Sequence, residues 1–465
     1  MHSLTISAIE ARCRRAGLAL AVVAVLGSQA AAATPAFAIP ERWTAQPATS
    51  QAAQGDAWWR DFGDPSLDNL VASALDANQD LKSAAARLVQ ARALVDGAES
   101  ERRPRLDGVA GAQRGRNSSA EPRMERSSVG LRAAWEVDVF GRGGLAIDAA
   151  AADRAGVAEA LRAARIAVAA DVATTYFSLR TLERRLALKH DGIELAQRQL
   201  DVAIRKFDAG QATSLDQARW RAELAQERAA ATLIEGEFAV RRQQLALLLG
   251  APGVPQIGAP AVVPAAPVAP ASVLPGELLE HRPDVVRQAR ALDAALARAG
   301  VARRDLYPRL EIDWSGAKER LAAAGGSAAP RVVVGYGLTL SLPILDGGRI
   351  RSNIAVQDAR AQEAMADYEK AMLTALVDVE TGLARWSAAG DACQEWGRAA
   401  AAADVAARHA ARVYTAGGTD VTAVLDARRA HLQARDGLAQ AEGARWEAAV
   451  GLRRAFAGGI GSAPL

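Results

Sequence analysis

Cysteine is almost absent: Cys13 and Cys393 are the only two in 465 residues. No internal disulfide framework is available, and stability must come from packing. Histidine is nearly as sparse. Beyond the first 38 residues only His190, His281, His409 and His431 occur, and none has the i, i+4 partner or Cys clustering of a metal site. There is no phosphate-binding glycine loop. "GYG" at 335 lacks a third glycine, and "HRPD" at 281 carries a proline foreign to a kinase-type catalytic loop. The expectation is a chain that is not an enzyme and holds no metal or cofactor. Net charge is small as well. The formal value is +3, and removing residues 1–38 takes away three Arg and one Glu, leaving 53 basic and 52 acidic side chains. Without a clustered basic face counterion release has no source, and nucleic acid is excluded as a partner.

What is present begins with Arg12, Arg14 and Arg15 ahead of the apolar run "AGLALAVVAVLG" and the small-residue segment "SQAAAATPAFA". That order predicts a secretory signal peptide over residues 1–38, cleaved after Ala38 or, alternatively, Ala33. The run is too short to span a bilayer. Cleavage would remove Cys13 and leave one thiol, Cys393.

Residues 64–102, 142–209, 213–250, 276–304, 347–416 and 419–457 read as helices rich in Ala, Leu, Arg, Glu and Gln. The stretch 142–209 contains no proline and would extend about 100 Å as one helix, more than an ordinary globular core accommodates. Val172, Leu179, Leu186, Ile193, Leu200 and Phe207 recur in steps of seven, the seam of a coiled coil, with Lys189 read as a solvated break in the neighbouring track. Leu224, Ala231, Phe238 and Leu245 carry the same step back, which predicts an antiparallel hairpin across "DAGQATS". Met365, Met372, Val379, Trp386, Cys393, Ala400, Ala407 and Tyr414 repeat the design, displaced by 207 positions. Cys393 is then a small apolar seam residue. Pro104 and Pro308, each opening a "PRL" element, are displaced by 204. A tandem internal repeat is predicted: residues 39–250, with a strand pair at 104–140 and a helical hairpin at 142–250; a Pro/Ala-rich connector at 251–275; residues 276–457, with a strand pair at 308–345 and a hairpin at 347–457; and a tail at 458–465.

The strand pairs alternate. Val129, Leu131, Ala133, Trp135, Val137 and Val139 oppose Gly130, Arg132, Ala134, Glu136 and Asp138; Val334, Tyr336, Leu338, Leu340 and Leu342 oppose Gly335, Gly337, Thr339 and Ser341. Leu310, Ile312 and Trp314 oppose Glu311, Asp313 and Ser315. In an exported chain, strands of about ten residues with aromatics on the apolar face and charge on the other predict a transmembrane β-barrel wall set in outer-membrane lipid. Four strands cannot close, so several chains must contribute. Two would give eight strands around side chains, and three would give twelve around water. A lumen lined by Arg132, Glu136, Asp138, Thr339 and Ser341 favours the larger ring. The class expected is an α+β membrane protein: a trimeric twelve-stranded barrel, four strands per chain, continued by a long antiparallel α-helical coiled-coil barrel.

"WWRDFGDPSLDNLVASALDANQDLKSAAARLVQARA" from Trp58, "LLLGAPG" from Leu247 and "LPGELLEHRPDVVRQARALDAALARAGVARRDLYPRLEI" from Leu274 closely resemble the TolC-like outer-membrane factors of tripartite efflux pumps, in the subgroup that pairs with proton-driven drug exporters. Coverage runs from about Trp58 to Phe456. The resemblance implies a homotrimeric, non-catalytic exit duct that passes small molecules from a periplasmic adaptor and an inner-membrane exporter to the exterior. The competing reading, a soluble periplasmic coiled-coil scaffold, is one the helical seams alone would permit. Many members of the subgroup carry a lipidated Cys at the end of the signal. Here Cys13 precedes the apolar run, so no lipid anchor is expected.

The resemblance also points to the hairpin tips, "KFDAGQATSLDQAR" and "VYTAGGTDVTAVLDAR", as a periplasmic gate. Gly210 and Gly417 sit where a helix C-cap needs positive φ. Carried over from the family, Tyr414 links to Asp216, and Asp426 faces the lumen, the alternative for Asp426 being a solvated helix face near Arg428 and Arg429; Asp420 is a second candidate for an acidic ring. Thr419 and Ala423 stand where a basic and an acidic gate residue are expected, so the network is incomplete. "TSLD" from Thr213 is itself a capping box, which gives Asp216 a purely local role as the alternative.

Overall fold

The protein is described from a computed structural model, which places residues 38–44, 57–115, 124–253, 274–323 and 329–456. The segment expected to be a signal peptide, apart from its last residue, most of the expected 251–275 connector and the expected 458–465 tail lie outside the described residues. A 3-10 turn at Trp58–Phe62 leads into α1 (Pro65–Ala77) and α2 (Gln79–Ser100). Strands β1 (Arg105–Gly115) and β2 (Met124–Val137) follow, then α3 (Arg142–Asp208) and α4 (Ser214–Leu248). The second half contains α5 (Pro275–His281), α6 (Pro283–Arg304), β3 (Arg309–Ala323), β4 (Ala329–Ser341), α7 (Arg349–Thr415) and α8 (Val421–Ala455).

The halves agree in their longer helices and in where their strands begin, although α1 has 13 residues and α5 has 7. Helices α3 and α7 each have 67 residues and start at 142 and 349, an offset of 207. Helices α4 and α8 each have 35, again offset by 207. Helices α2 and α6 each have 22, and β1 and β3 begin at 105 and 309, both offsets being 204.

Two helical stretches are broken where the sequence pattern ran on. Residues 64–102 form two helices because the Asn78 side chain accepts the N–H groups of Asp80 and Leu81, at 2.9 and 3.1 Å, and so starts a new helix. The same amide donates to the Leu248 carbonyl at 2.9 Å, pinning the junction to the end of α4. Residues 276–304 break at Arg282, because Pro283 has no N–H and disfavours the helical conformation of the residue before it.

The heptad tracks are buried in part, Phe207 and Tyr414 at the tips being exposed. Val172, Leu179, Leu200, Met372, Val379, Ala400 and Ala407 are buried. Ala196 and Leu200 of α3 pack on Leu224 of α4, as an antiparallel hairpin requires. Lys189 is not solvated: it is half-buried and meets Glu227 across the hairpin at 3.1 Å. The core gathers around Trp58, Phe62, Tyr176, Phe177 and Trp446, with Phe177 stacked on Trp446 at 5.2 Å. Within it the Tyr176 hydroxyl donates to Asp64 and accepts from Arg180 at 3.0 Å. Burial first, then the Asp64 hydrogen bond, pushes that hydroxyl up to about 12. Asp64 also caps α1 by accepting the Ser66 N–H at 2.9 Å.

Arg282 ties three helices at the break. It is buried, and donates to the Ala375 and Ala455 carbonyls at 3.2 and 3.1 Å, to both Asp284 oxygens at 2.9 and 2.6 Å, and to Asp378 at 3.0 Å. Burial pushes the Asp284 carboxyl up, yet the guanidinium outweighs it and holds the group below its ordinary value. Among the described residues no helix is long and apolar enough to cross a membrane. The sheet is a four-stranded antiparallel meander in the order β1-β2-β3-β4, so β2 and β3, from different repeats, are neighbours.

Replacing Arg282 with Ala leaves two carboxylates and two carbonyls short of a donor. The expected loss is about 3 kcal/mol, read as a lower thermal midpoint by circular dichroism, and Arg282→Lys recovers only part because it lacks the planar fork.

Candidate functional site: the sheet faces and the hairpin tips

Antiparallel register puts directly paired residues on one face of the sheet. On one face Glu136 lies opposite Glu311 and Glu311 opposite Thr339; Ala134, Asp313 and Gly337 form the next layer; Asp107, Arg132, Ser315 and Gly335 the one after. Ser341 pairs with Arg309 at the margin. The predicted residues Arg132, Glu136, Thr339 and Ser341 therefore share this face. Asp138 does not. It lies past the end of β2, where it accepts the Gly144 N–H at 2.8 Å and lies 3.9 Å from Arg102, so it serves the start of α3 rather than the wall.

The same face holds a cluster absent from the sequence reading. Glu319 on β3 is 1% exposed and lies between Arg126 on β2 and Arg331 on β4; Arg331 donates to it at 2.9 and 2.7 Å. Register alone would have aligned Glu319 with Arg331. The missing signal was strand length: β3 and β4 reach 15 and 13 residues, beyond the segments whose alternation was plain.

The opposite face is apolar and bare. Val129, Leu131, Ile312, Val334, Tyr336, Leu338 and Leu340 all point outward, and Tyr336 is 88% exposed. With β1 and β4 unpaired on their outer sides, the chain presents two open edges and one greasy surface, neither of which suits water.

At the far end of the helices, Gly210 and Gly417 adopt φ of 67° and 74°, which reverses each hairpin without strain. Asp216 is engaged locally. Its carboxylate accepts the Thr213 N–H and hydroxyl, both at 2.9 Å, and the Thr213 hydroxyl accepts the Asp216 N–H, completing the capping box. The backbone bond from Thr213, then its hydroxyl, hold the Asp216 carboxyl below its ordinary value. No hydrogen bond joins Asp216 to Tyr414, which is exposed.

Other pairs bridge the two hairpins. Lys206, in the last turn of α3, meets Asp420 at the start of α8 at 2.5 Å, and the Thr422 hydroxyl donates to the same carboxylate at 3.0 Å. Arg429 on α8 lies 3.4 Å from Glu223 on α4 and 3.5 Å from Asp426, with its guanidinium 5.8 Å from the Trp220 ring centroid. Farther from the tip, Arg185 pairs with Asp436 at 2.9 Å, and Arg184 pairs with Glu442. Asp420 is thus brought to the tip on Lys206, a cation the sequence reading did not name, whereas Asp426 lies beside Arg429, the neighbour of its local alternative. Lys206 lies 214 residues from its partner, so no local spacing could have signalled it.

A family model described as outer membrane efflux protein matches residues 70–251 and 274–458, one segment per repeat. The pyoverdine export outer membrane protein OpmQ of Pseudomonas aeruginosa is 30% identical over 469 residues, covering 93% of this chain and 94% of the relative. Outer membrane protein OprJ of the same organism is 33% identical over 392 residues, 79% of each. Among solved structures, the open state of the MtrE outer membrane channel of Neisseria gonorrhoeae matches with a TM-score of 0.80 at 25% identity, over 92% of this chain and 97% of that one.

The pairing of Asp420 with Lys206 has a pH signature. The Lys206 hydrogen bond, then that of Thr422, hold the Asp420 carboxyl below its ordinary 3.8, so the stabilisation is complete above that value and lost as pH falls through the lowered one. Spin labels at Gln211 and Ala416, with Cys393 replaced by Ser, should keep a constant separation from neutral pH down to the ordinary carboxylate range and move apart only below it. In Asp420→Asn the labels should be apart throughout.

Proposed function

This chain belongs to the outer membrane efflux protein family, whose members are channels rather than enzymes, and from that premise we propose that three copies join edge to edge into one conduit with a gate at the hairpin tips. The chain is an outer-membrane efflux duct with the fold of the TolC-like trimeric channels. The observation that carries the reading is the sheet: four strands, two open edges, one face apolar and exposed, the other lined with Glu136, Glu311, Asp313, Arg132 and Thr339. Pairing β1 of one protomer with β4 of the next satisfies every edge, turns the apolar face to lipid and leaves the charged face around water. A soluble scaffold would leave that apolar face bare.

The same arrangement brings the helical hairpins of three chains into a tunnel continuing toward a periplasmic adaptor and an inner-membrane exporter. It is a pore with no catalytic step. Closure rests on the bridges between hairpins, Lys206 to Asp420 and Glu223 to Arg429, with Asp426 steadying Arg429. Each is partly exposed and contributes at most about 1 kcal/mol, so a docking partner can open the end at small cost. Asp216 and Tyr414 are secondary here, because capping already occupies the Asp216 carboxylate. Cargo is small molecules, selected at the inner membrane.

Two measurements test this reading. A heat-modifiable trimer in detergent-extracted outer membrane is expected, and release by osmotic shock would refute the barrel. In planar bilayers, Lys206→Gln combined with Arg429→Gln should raise single-channel conductance severalfold, while Asp216→Ala with Tyr414→Ala should leave it near that of the native channel. The reverse outcome would return the gate to the Asp216–Tyr414 pair.

A further inference from the structure

On the lipid-facing side of the sheet, charged residues occur only at the end away from the helices. From Leu310 to Gly316 on β3, from Val137 to Val129 on β2, from Leu340 to Val332 on β4 and from Leu106 to Ala112 on β1, that face carries aliphatic, aromatic or small residues only. The pattern then changes within one layer. Lys318 lies between Val129 and Val332, the last apolar residues on their strands, and Arg320 lies between Ser127 and Pro330 one layer further out. Arg114 and Glu125, at the same end, neutralise each other at 2.9 Å. Arg126, Glu319 and Arg331 point to the opposite face.

Lys318 and Arg320 are exposed, and neither forms a side-chain hydrogen bond or ion pair among the described residues. They sit two residues apart on one strand, so both side chains reach the same patch. Eight residues along a strand tilted by about 40° place Lys318 roughly 20 Å above Leu310. The exposed Leu342, Ile344 and Leu345 extend the apolar surface below the strands. An apolar band of about 25 Å therefore ends where the two cations begin. The connections between β1 and β2 and between β3 and β4 lie at this end, and the helices leave from the other, so the cations face the exterior leaflet.

We propose that Lys318 and Arg320 form a binding site for the phosphates of the outer-leaflet glycolipid, one site per protomer. The proposal rests on the barrel reading above. Burying the aliphatic stem of Lys318 against Val129 and Val332 lets its ammonium rise to headgroup level, and the Arg320 guanidinium, one layer out, offers a fork matched to phosphate oxygens. A zwitterionic headgroup presents no comparable net charge, so the site discriminates by lipid phosphorylation. It fixes the height of the barrel in the membrane.

Native mass spectrometry of the detergent-purified trimer mixed with diphosphorylated lipid A, its dephosphorylated form or phosphatidylethanolamine tests the site. Lipid A should remain bound at up to one copy per protomer. Lys318→Gln with Arg320→Gln should weaken retention roughly tenfold or more, and Arg132→Gln, on the lumen face, should not. Equal retention by the double variant, or of the dephosphorylated lipid, overturns the proposal. Channel formation in phosphatidylethanolamine bilayers is read alongside. Native chains that form none overturn the underlying barrel, whereas intact channels without phosphate-dependent retention overturn only the headgroup site.

Discussion

A strand edge in lipid has no water to satisfy it, and among the described residues this chain makes four strands. Most of its architecture answers that constraint. The meander brings β2 and β3 side by side although more than 170 residues of chain intervene between Val137 and Arg309. The polypeptide must therefore leave the membrane, travel the length of two hairpins and return in register before its sheet is complete. Duplication makes the return possible, because an identical helix length brings the second strand pair back to the same height as the first.

The helical part carries its own requirement. A helix of 67 residues cannot be held by one local core, so buried seam residues recur along its length, giving way to exposed Phe207 and Tyr414 at the tips, while discrete polar ties add to them. Arg282 gathers the break between α5 and α6, a carbonyl and a carboxylate of α7 and the terminal carbonyl of α8 into one hydrogen-bonded knot. Asn78 does the corresponding work in the first repeat with a neutral amide. The two halves are thus alike in length and register but differ in the chemistry of their joints. Toward the tips the ties become exposed ion pairs, weaker than the buried knot by the screening that water provides. The stronger, buried tie thus meets α7 part-way along its length, at Ala375 and Asp378, and the weaker ones lie toward the tips.

Much of this was legible in the sequence because it is periodic. Steps of seven marked the seams, steps of two marked the strands, and the displacement by 207 marked the repeat. Each survives in the structure, with Val172 and Val379 both fully buried at matching positions. What stayed hidden depends on contacts between distant segments. Lys206 and Asp420 have no sequence relation, and Lys189 looked solvated only because Glu227 on the returning helix could not be seen. Asp138 looked like a lumen residue because alternation continued one step past the strand's end, where its carboxylate turns to the Gly144 N–H instead. The breaks at Asn78 and Arg282 were missed although their causes, an amide cap and a proline, are local. Uninterrupted apolar periodicity on both sides outweighed them.

The matched helical hairpins have a geometric consequence. Three chains with two near-equivalent hairpins apiece surround the tunnel with six similar staves, a body of nearly hexagonal rotational order. Their inner extremities do not share it: one carries the Thr213 capping box, and the other begins with Asp420 reaching across to Lys206. That extremity therefore has threefold rather than hexagonal equivalence, and the two staves of each chain present different chemistry there.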